Sequence, residues 1–155
     1  MACIEKYLIP IADIHAFCLM SNHYHLVLQT HETTTHDLLC NSIGTLQSTY
    51  GKAFNGLYQR KGGLFMSPFN RIPILDEAQL AWVFWYAHRN PLHHGITLNW
   101  EDWEYSSYHL YMSRNPGFIK TKFFIDLFGG IDQIKMHHHM NAYAFRPEMK
   151  KLILE

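Results

Sequence analysis

The period of the apolar positions changes several times along this chain, and each change marks an element. Residues 3–9 (Cys-Ile-Glu-Lys-Tyr-Leu-Ile) read as the closing turns of a helix, stopped by Pro10, which cannot continue one. From Ile11 to Met20 β-branched and aromatic residues dominate, Ser21-Asn22 supplies a turn, and His23 to Thr30 reads as a second strand. The spacing predicts a β-hairpin. Asp37 can cap a helix in which Leu38, Leu39, Ile43, Leu46, Tyr50, Phe54, Leu57 and Tyr58 recur at three and four residues, to about Gln59, with Gly62-Gly63 beyond. Residues 65–75 contain Pro68 and Pro73, so Phe69, Ile72 and Ile74 suit only a short or edge strand. Asp76 caps a further helix, apolar along Leu80, Val83, Phe84 and Ala87, expected to end before Pro91. An aromatic segment from Trp100 to Tyr111 follows, then a helix from Lys122 to Phe128, a Gly129-Gly130 break, and a helix from Asp132 to about Tyr143.

Strand, strand, helix, strand, helix is most of a ferredoxin-like βαββαβ sheet, an α+β fold, without its first strand. At 155 residues, 48% hydrophobic and 17% charged, the chain is one folded domain's worth. No apolar run is long enough to span a bilayer, so no membrane partner is expected and the location reads as cytoplasmic. Cys3, Cys18 and Cys40 are odd in number and far apart, which suggests buried free thiols rather than disulfides or a zinc ribbon. Lys+Arg and Asp+Glu both number 13, a balance that argues against a nucleic-acid partner until the distribution is read. Between Asp37 and Asp76 there is no acid, while Lys52, Arg60, Lys61 and Arg71 fall inside; from Ala78 to Trp100 there is again none, with Arg89 inside. The middle of the chain is locally basic.

Candidate chemistry concentrates in two places. In an extended run His23 and His25 point to one face and Tyr24 to the other, so two imidazoles stand side by side in Asn22-His23-Tyr24-His25-Leu26-Val27-Leu28-Gln29. Neutral imidazole is a common metal ligand, although such a pair can equally hydrogen-bond to backbone or face water. On the helix over 76–90, Tyr86 and Asn90 lie one turn apart on one face. If that face meets the histidine strand, two imidazoles and an amide oxygen make a three-ligand site with open positions and a phenol beside it. His88 lies off that face, His93-His94 follow the helix end, and His137-His138-His139 are expected on a solvated helix face.

Five motifs occur in one order: Phe-Cys-Leu-Met-Ser-Asn-His-Tyr-His-Leu-Val-Leu (17–28), Tyr-Gly-Lys-Ala-Phe-Asn (50–55), Lys-Gly-Gly-Leu-Phe (61–65), Tyr-Ala-His-Arg-Asn-Pro-Leu-His-His-Gly (86–95) and Trp-Glu-Tyr-Ser-Ser-Tyr (103–108). Together they resemble the IS200-like single-tyrosine (HUH) transposases, closest to the REP-associated branch, over about residues 4–140. The resemblance implies that His23 and His25 are the metal pair, Asn90 the third ligand and Tyr86 the nucleophile, with Mg²⁺ or Mn²⁺ as cofactor. The implied reaction cleaves and rejoins single-stranded DNA next to a hairpin through a 5′-phosphotyrosine link. Lys52, Arg60, Lys61, Arg71 and Arg89 are then the expected DNA contacts, and the protein a monomer or homodimer. Residues 1–112 would be the transposase domain, short of the family's first strand and most of its first helix, and 113–155 a C-terminal helical extension. Ser21 stands where the family usually has proline, and Asn70 where it often has a basic residue. The alternative is a hairpin-binding protein that has lost catalysis.

Overall fold

The computed structural model describes residues 1–140; the end of the helix expected to reach Tyr143, and the rest of the extension to 155, lie outside the described residues. The fold is α+β, with a two-stranded antiparallel sheet and short and long helices. The elements run α1 (Ala2–Tyr7), β1 (Ala12–Leu19), β2 (Tyr24–Thr30), α2 (His36–Leu57), α3 (Glu77–His93), a 3₁₀ turn (Trp100–Asp102), α4 (Tyr108–Tyr111), α5 (Thr121–Phe128) and α6 (Ile131–His139). They form two compact units, residues 1–13 with 29–71, and residues 14–28 with those from 72 onward.

In the first unit α1 packs on α2. The helix starts earlier than its acid suggests. Thr35, not Asp37, is the N-cap, its hydroxyl accepting from Leu38 N, and Asp37 sits in the first turn where its charge suits the helix pole. Residues 65–75 form no strand. Pro68 and Pro73 remove two amide donors from any ladder, and the peptide before Pro68 is cis.

In the second unit β1 is buried along nearly its whole length, whereas β2 buries only Val27. Sheet pairing on the far edge of β1 comes from isolated bridges, Cys18 with Ser106 and Ile14 with Ile119, rather than from a third strand. Burial pushes the Cys18 thiol up to about 12, which makes it an inert core group; Cys3 and Cys40 are half-buried free thiols. Phe84 of α3 stacks on Phe124 of α5 at 3.8 Å, and the Tyr111 hydroxyl donates to His15 O at 2.7 Å.

A chain of buried polar groups ties α3, α6 and β1 together. His138 Nδ1 faces Ile134 O at 2.9 Å and must therefore carry its proton. His138 Nε2 is then an acceptor for His88 Nδ1–H at 2.9 Å, and His88 Nε2 accepts from the Ser107 hydroxyl at 2.7 Å. Ser107 Oγ in turn accepts from Phe17 N at 2.8 Å. Both rings are fully buried and neutral: burial holds His138 down to about 3 and His88 well below its ordinary value. The expected solvated face at His137-His138-His139 is thus corrected, since His137 and His138 are buried and only His139 reaches solvent. Helix α6 closes the core instead of covering it.

Asp76 caps α3 as its sequence predicts, accepting from Gln79 N at 2.7 Å, while Gln79 Oε1 accepts from Leu75 N. The far end differs. Helix α3 runs through Pro91 to His93, because a proline in the last turn forfeits a single hydrogen bond. Its end is a Schellman motif: Ile96 N donates to Pro91 O, Gly95 N to Leu92 O, and Gly95 takes the left-handed φ of 66° that the motif needs.

Candidate active site

His23 follows the two-residue turn closed by Met20 N donating to His23 O, and His25 is the second residue of β2. Tyr86 and Asn90 come from α3, and all four belong to the second unit. They converge. His23 Nε2 lies 2.9 Å from Asn90 Oδ1; the His25 ring meets the His23 ring edge-on at 5.1 Å and the Tyr86 ring edge-on at 5.4 Å.

The other nitrogen of His23, Nδ1, lies 2.8 Å from Asn22 Oδ1. A neutral imidazole has one N–H, so His23 donates to only one of these two amide oxygens, and its other nitrogen faces an oxygen lone pair. Asn90 is fully buried and its Nδ2 lacks a hydrogen-bond partner. Adjacent ligands of an ion bound at 2.0–2.1 Å stand about 3 Å apart, close to the observed separation. His25 Nε2 is shielded from solvent beside the Tyr86 ring. Among the described residues no three side chains of the His, Cys, Asp and Glu types are arranged to hold a metal; the group here is two imidazoles and an amide oxygen.

Tyr86 is only 5% exposed and lies flat on Trp82, with ring centroids 4.9 Å apart and planes within 9°. Trp82 precedes Tyr86 by one helical turn, and that i, i+4 spacing was the available sequence signal. Two further rings reach the site because α3 continues past Pro91: His93 lies 5.7 Å from Tyr86 and His94 lies 4.8 Å from His23. Both are exposed histidines. The sequence placed them after the helix rather than on its last turn, so their approach to the site was not legible.

The expected DNA contacts divide between the units. Lys52, Arg60, Lys61 and Arg71 stand exposed in the first, where Arg71 contacts the His36 ring nitrogens and lies over Phe69 at 5.3 Å. Arg89 belongs to the second, half-buried between Trp85 and Trp100, with Nη1 donating to His138 O at 2.6 Å. Burial lowers its pKa from the ordinary arginine value without threatening its charge. Arg89 thus has a packing role at the junction of α3 and α6.

Set against known proteins, the chain matched no family profile, no curated protein and no solved structure. Among the described residues no helix is long and apolar enough to cross a membrane.

Proposed function

We propose that this protein is a metal-dependent single-tyrosine transposase of the HUH type, cleaving and rejoining single-stranded DNA next to a hairpin on a ferredoxin-like framework. It would act in the cytoplasm, as a monomer or homodimer. One observation carries the reading: residues more than sixty positions apart, chosen from motifs, meet as an imidazole–amide pair at 2.9 Å with a phenol-bearing ring beside the second imidazole.

His23 Nε2, His25 and Asn90 Oδ1 are the groups to hold a divalent cation, and two nitrogens with one oxygen suit Mg²⁺ or Mn²⁺ in use. Bound there, the cation would supply charge stabilisation for the phosphate oxygens of the scissile bond. Tyr86 loses its phenolic proton and its Oη forms an ester bond to phosphorus, while the P–O bond to the 3′-oxygen breaks and that oxygen takes up a proton. In rejoining, the 3′-hydroxyl attacks the same phosphorus and Tyr86 leaves as a phenol. The phosphodiester is conserved throughout, so no nucleotide cofactor is needed. Trp82 fixes the plane of the attacking ring, and Asn22 restrains the tilt of His23.

The low exposure of Tyr86 favours a second reading, a hairpin-binding protein without catalysis. Labelled single strands from both flanks of the gene, incubated with protein and Mn²⁺ and run on a denaturing gel, separate the two. A covalent adduct lost in Tyr86→Phe and with chelator supports the transposase. Binding without any adduct supports the second reading.

A further inference from the structure

The first unit carries a surface that the cleavage chemistry does not use. On the C-terminal half of α2, Tyr50, Phe54 and Tyr58 recur every four residues and therefore form one stripe. Their rings run in series: Tyr50 to Phe54 at 6.2 Å, nearly parallel, and Phe54 to Tyr58 at 4.5 Å. Phe65 closes on Tyr50 at 6.0 Å, and the Arg60 guanidinium lies over Phe54 at 5.6 Å. Phe54 and Phe65 are half-buried and anchor this stripe. Tyr50 and Tyr58 touch them ring to ring yet stay open to water, 48% and 59% exposed. Large aromatic rings left in water beside the Arg60 cation need a reason.

Charge says what covers them. Arg60 and Lys61 stand exposed just beyond the stripe, Lys52 lies on the opposite face of α2, and the chain holds no acid from Leu38 to Leu75. An acidic peptide would meet the cations but gain nothing special from flat, accessible rings, and an apolar partner would leave the cations unpaired. Unpaired bases answer both, since every base has a π-face and every link a phosphate. We propose that Tyr50 and Tyr58, with Arg60 and Lys61, form a stacking platform for the unpaired bases of a DNA strand. The platform rests on the protein's reading as a single-stranded DNA binder, not on Tyr86 or a metal.

The test is fluorescence anisotropy with a labelled oligothymidylate and a matched duplex, in chelator so that no cleavage occurs, over a series of salt concentrations. Tyr58→Leu and Tyr50→Leu are each expected to weaken single-strand binding roughly tenfold, with the duplex little changed. The salt slope stays as in the parent for both, because no cation is removed. Lys61→Gln instead flattens that slope by roughly 0.7. Tyr58→Phe keeps the ring and restores the parent affinity, which a fold defect in the leucine variant would not explain. Parent-like binding in both leucine variants, equal losses on duplex, or no rescue by phenylalanine would overturn the platform. A protein that never forms a Tyr86 adduct still passes or fails this test on its own terms.

Discussion

Tyr86 sits where a phenol is easiest to aim and hardest to reach. Its ring is held between Trp82 beneath, His25 edge-on and His93 near the helix end, so few rotamers are open to it. Tyr86→Phe keeps every one of these ring contacts and removes only the hydroxyl. Covalent adduct should vanish in that variant while DNA affinity stays within about twofold, a difference under ~0.4 kcal/mol, read by gel and anisotropy together. His25→Ala removes a different thing. One of three ligand groups goes, and metal affinity should fall by roughly 100-fold or more, measured by titration calorimetry with Mn²⁺ in the absence of DNA. Unchanged Mn²⁺ binding would take His25 out of the ligand set. Local repeats of two and four residues pair His23 with His25 and Tyr86 with Asn90; that the two pairs meet has no local signal, and only the order of the motifs suggested it. Trp82 obeys the same rule and was missed only because an indole in an apolar helix face looks like core, which at 2% exposure it also is.

At the scale of elements, sequence rules succeeded where one residue decides and failed where two compete. Asp76 with Gln79 three residues later is a complete capping signal, and α3 begins there. Thr35 and Asp37 are both good caps two residues apart, and nothing local ranks them; the backbone chose Thr35, which lengthens α2 by two residues at its start. The stretch 65–75 had apolar residues enough for a strand and prolines enough to forbid one, and the prolines won. Pro91 was read the opposite way and lost, because in a final turn its missing N–H costs little and Gly95 completes the termination beyond it. The end of α3 can be tested at that glycine. A Cβ at residue 95 would meet no atom within 4 Å, so Gly95→Ala carries only the backbone cost of a left-handed alanine, about 1–2 kcal/mol. Urea unfolding should show that loss. Because His93 and His94 hang from the same turn, adduct formation should fall in the same variant, whereas a stability loss with unchanged adduct yield would detach those histidines from the site.

For the molecule as a whole, the decisive groups are buried histidines that no local pattern could place. A run of three histidines on a short helix reads as solvent-facing, yet His138 is wholly enclosed and His137 nearly so; His138 finds its partner in His88, 50 residues away, and His88 is held in turn by Ser107. Long-range satisfaction of this kind has no period and leaves no local trace. It does leave a pH signature. Burial holds His138 down to about 3 and His137 to about 4, below the ~6.5 of an unfolded chain. Between those values the unfolded state binds protons that the folded state refuses, so stability is full above about pH 6.5 and declines as pH falls toward the folded values. Each such histidine contributes a slope of about 1.4 kcal/mol per pH unit inside the window. Substituting His138→Gln keeps an acceptor for His88 Nδ1–H and removes one titrating group. Its unfolding free energy, measured in urea from pH 7 to pH 4.5, should therefore fall less steeply than the parent's by about that one-proton slope. A variant as acid-sensitive as the parent would mean that the loss comes from carboxylates rather than from the imidazoles closing the core.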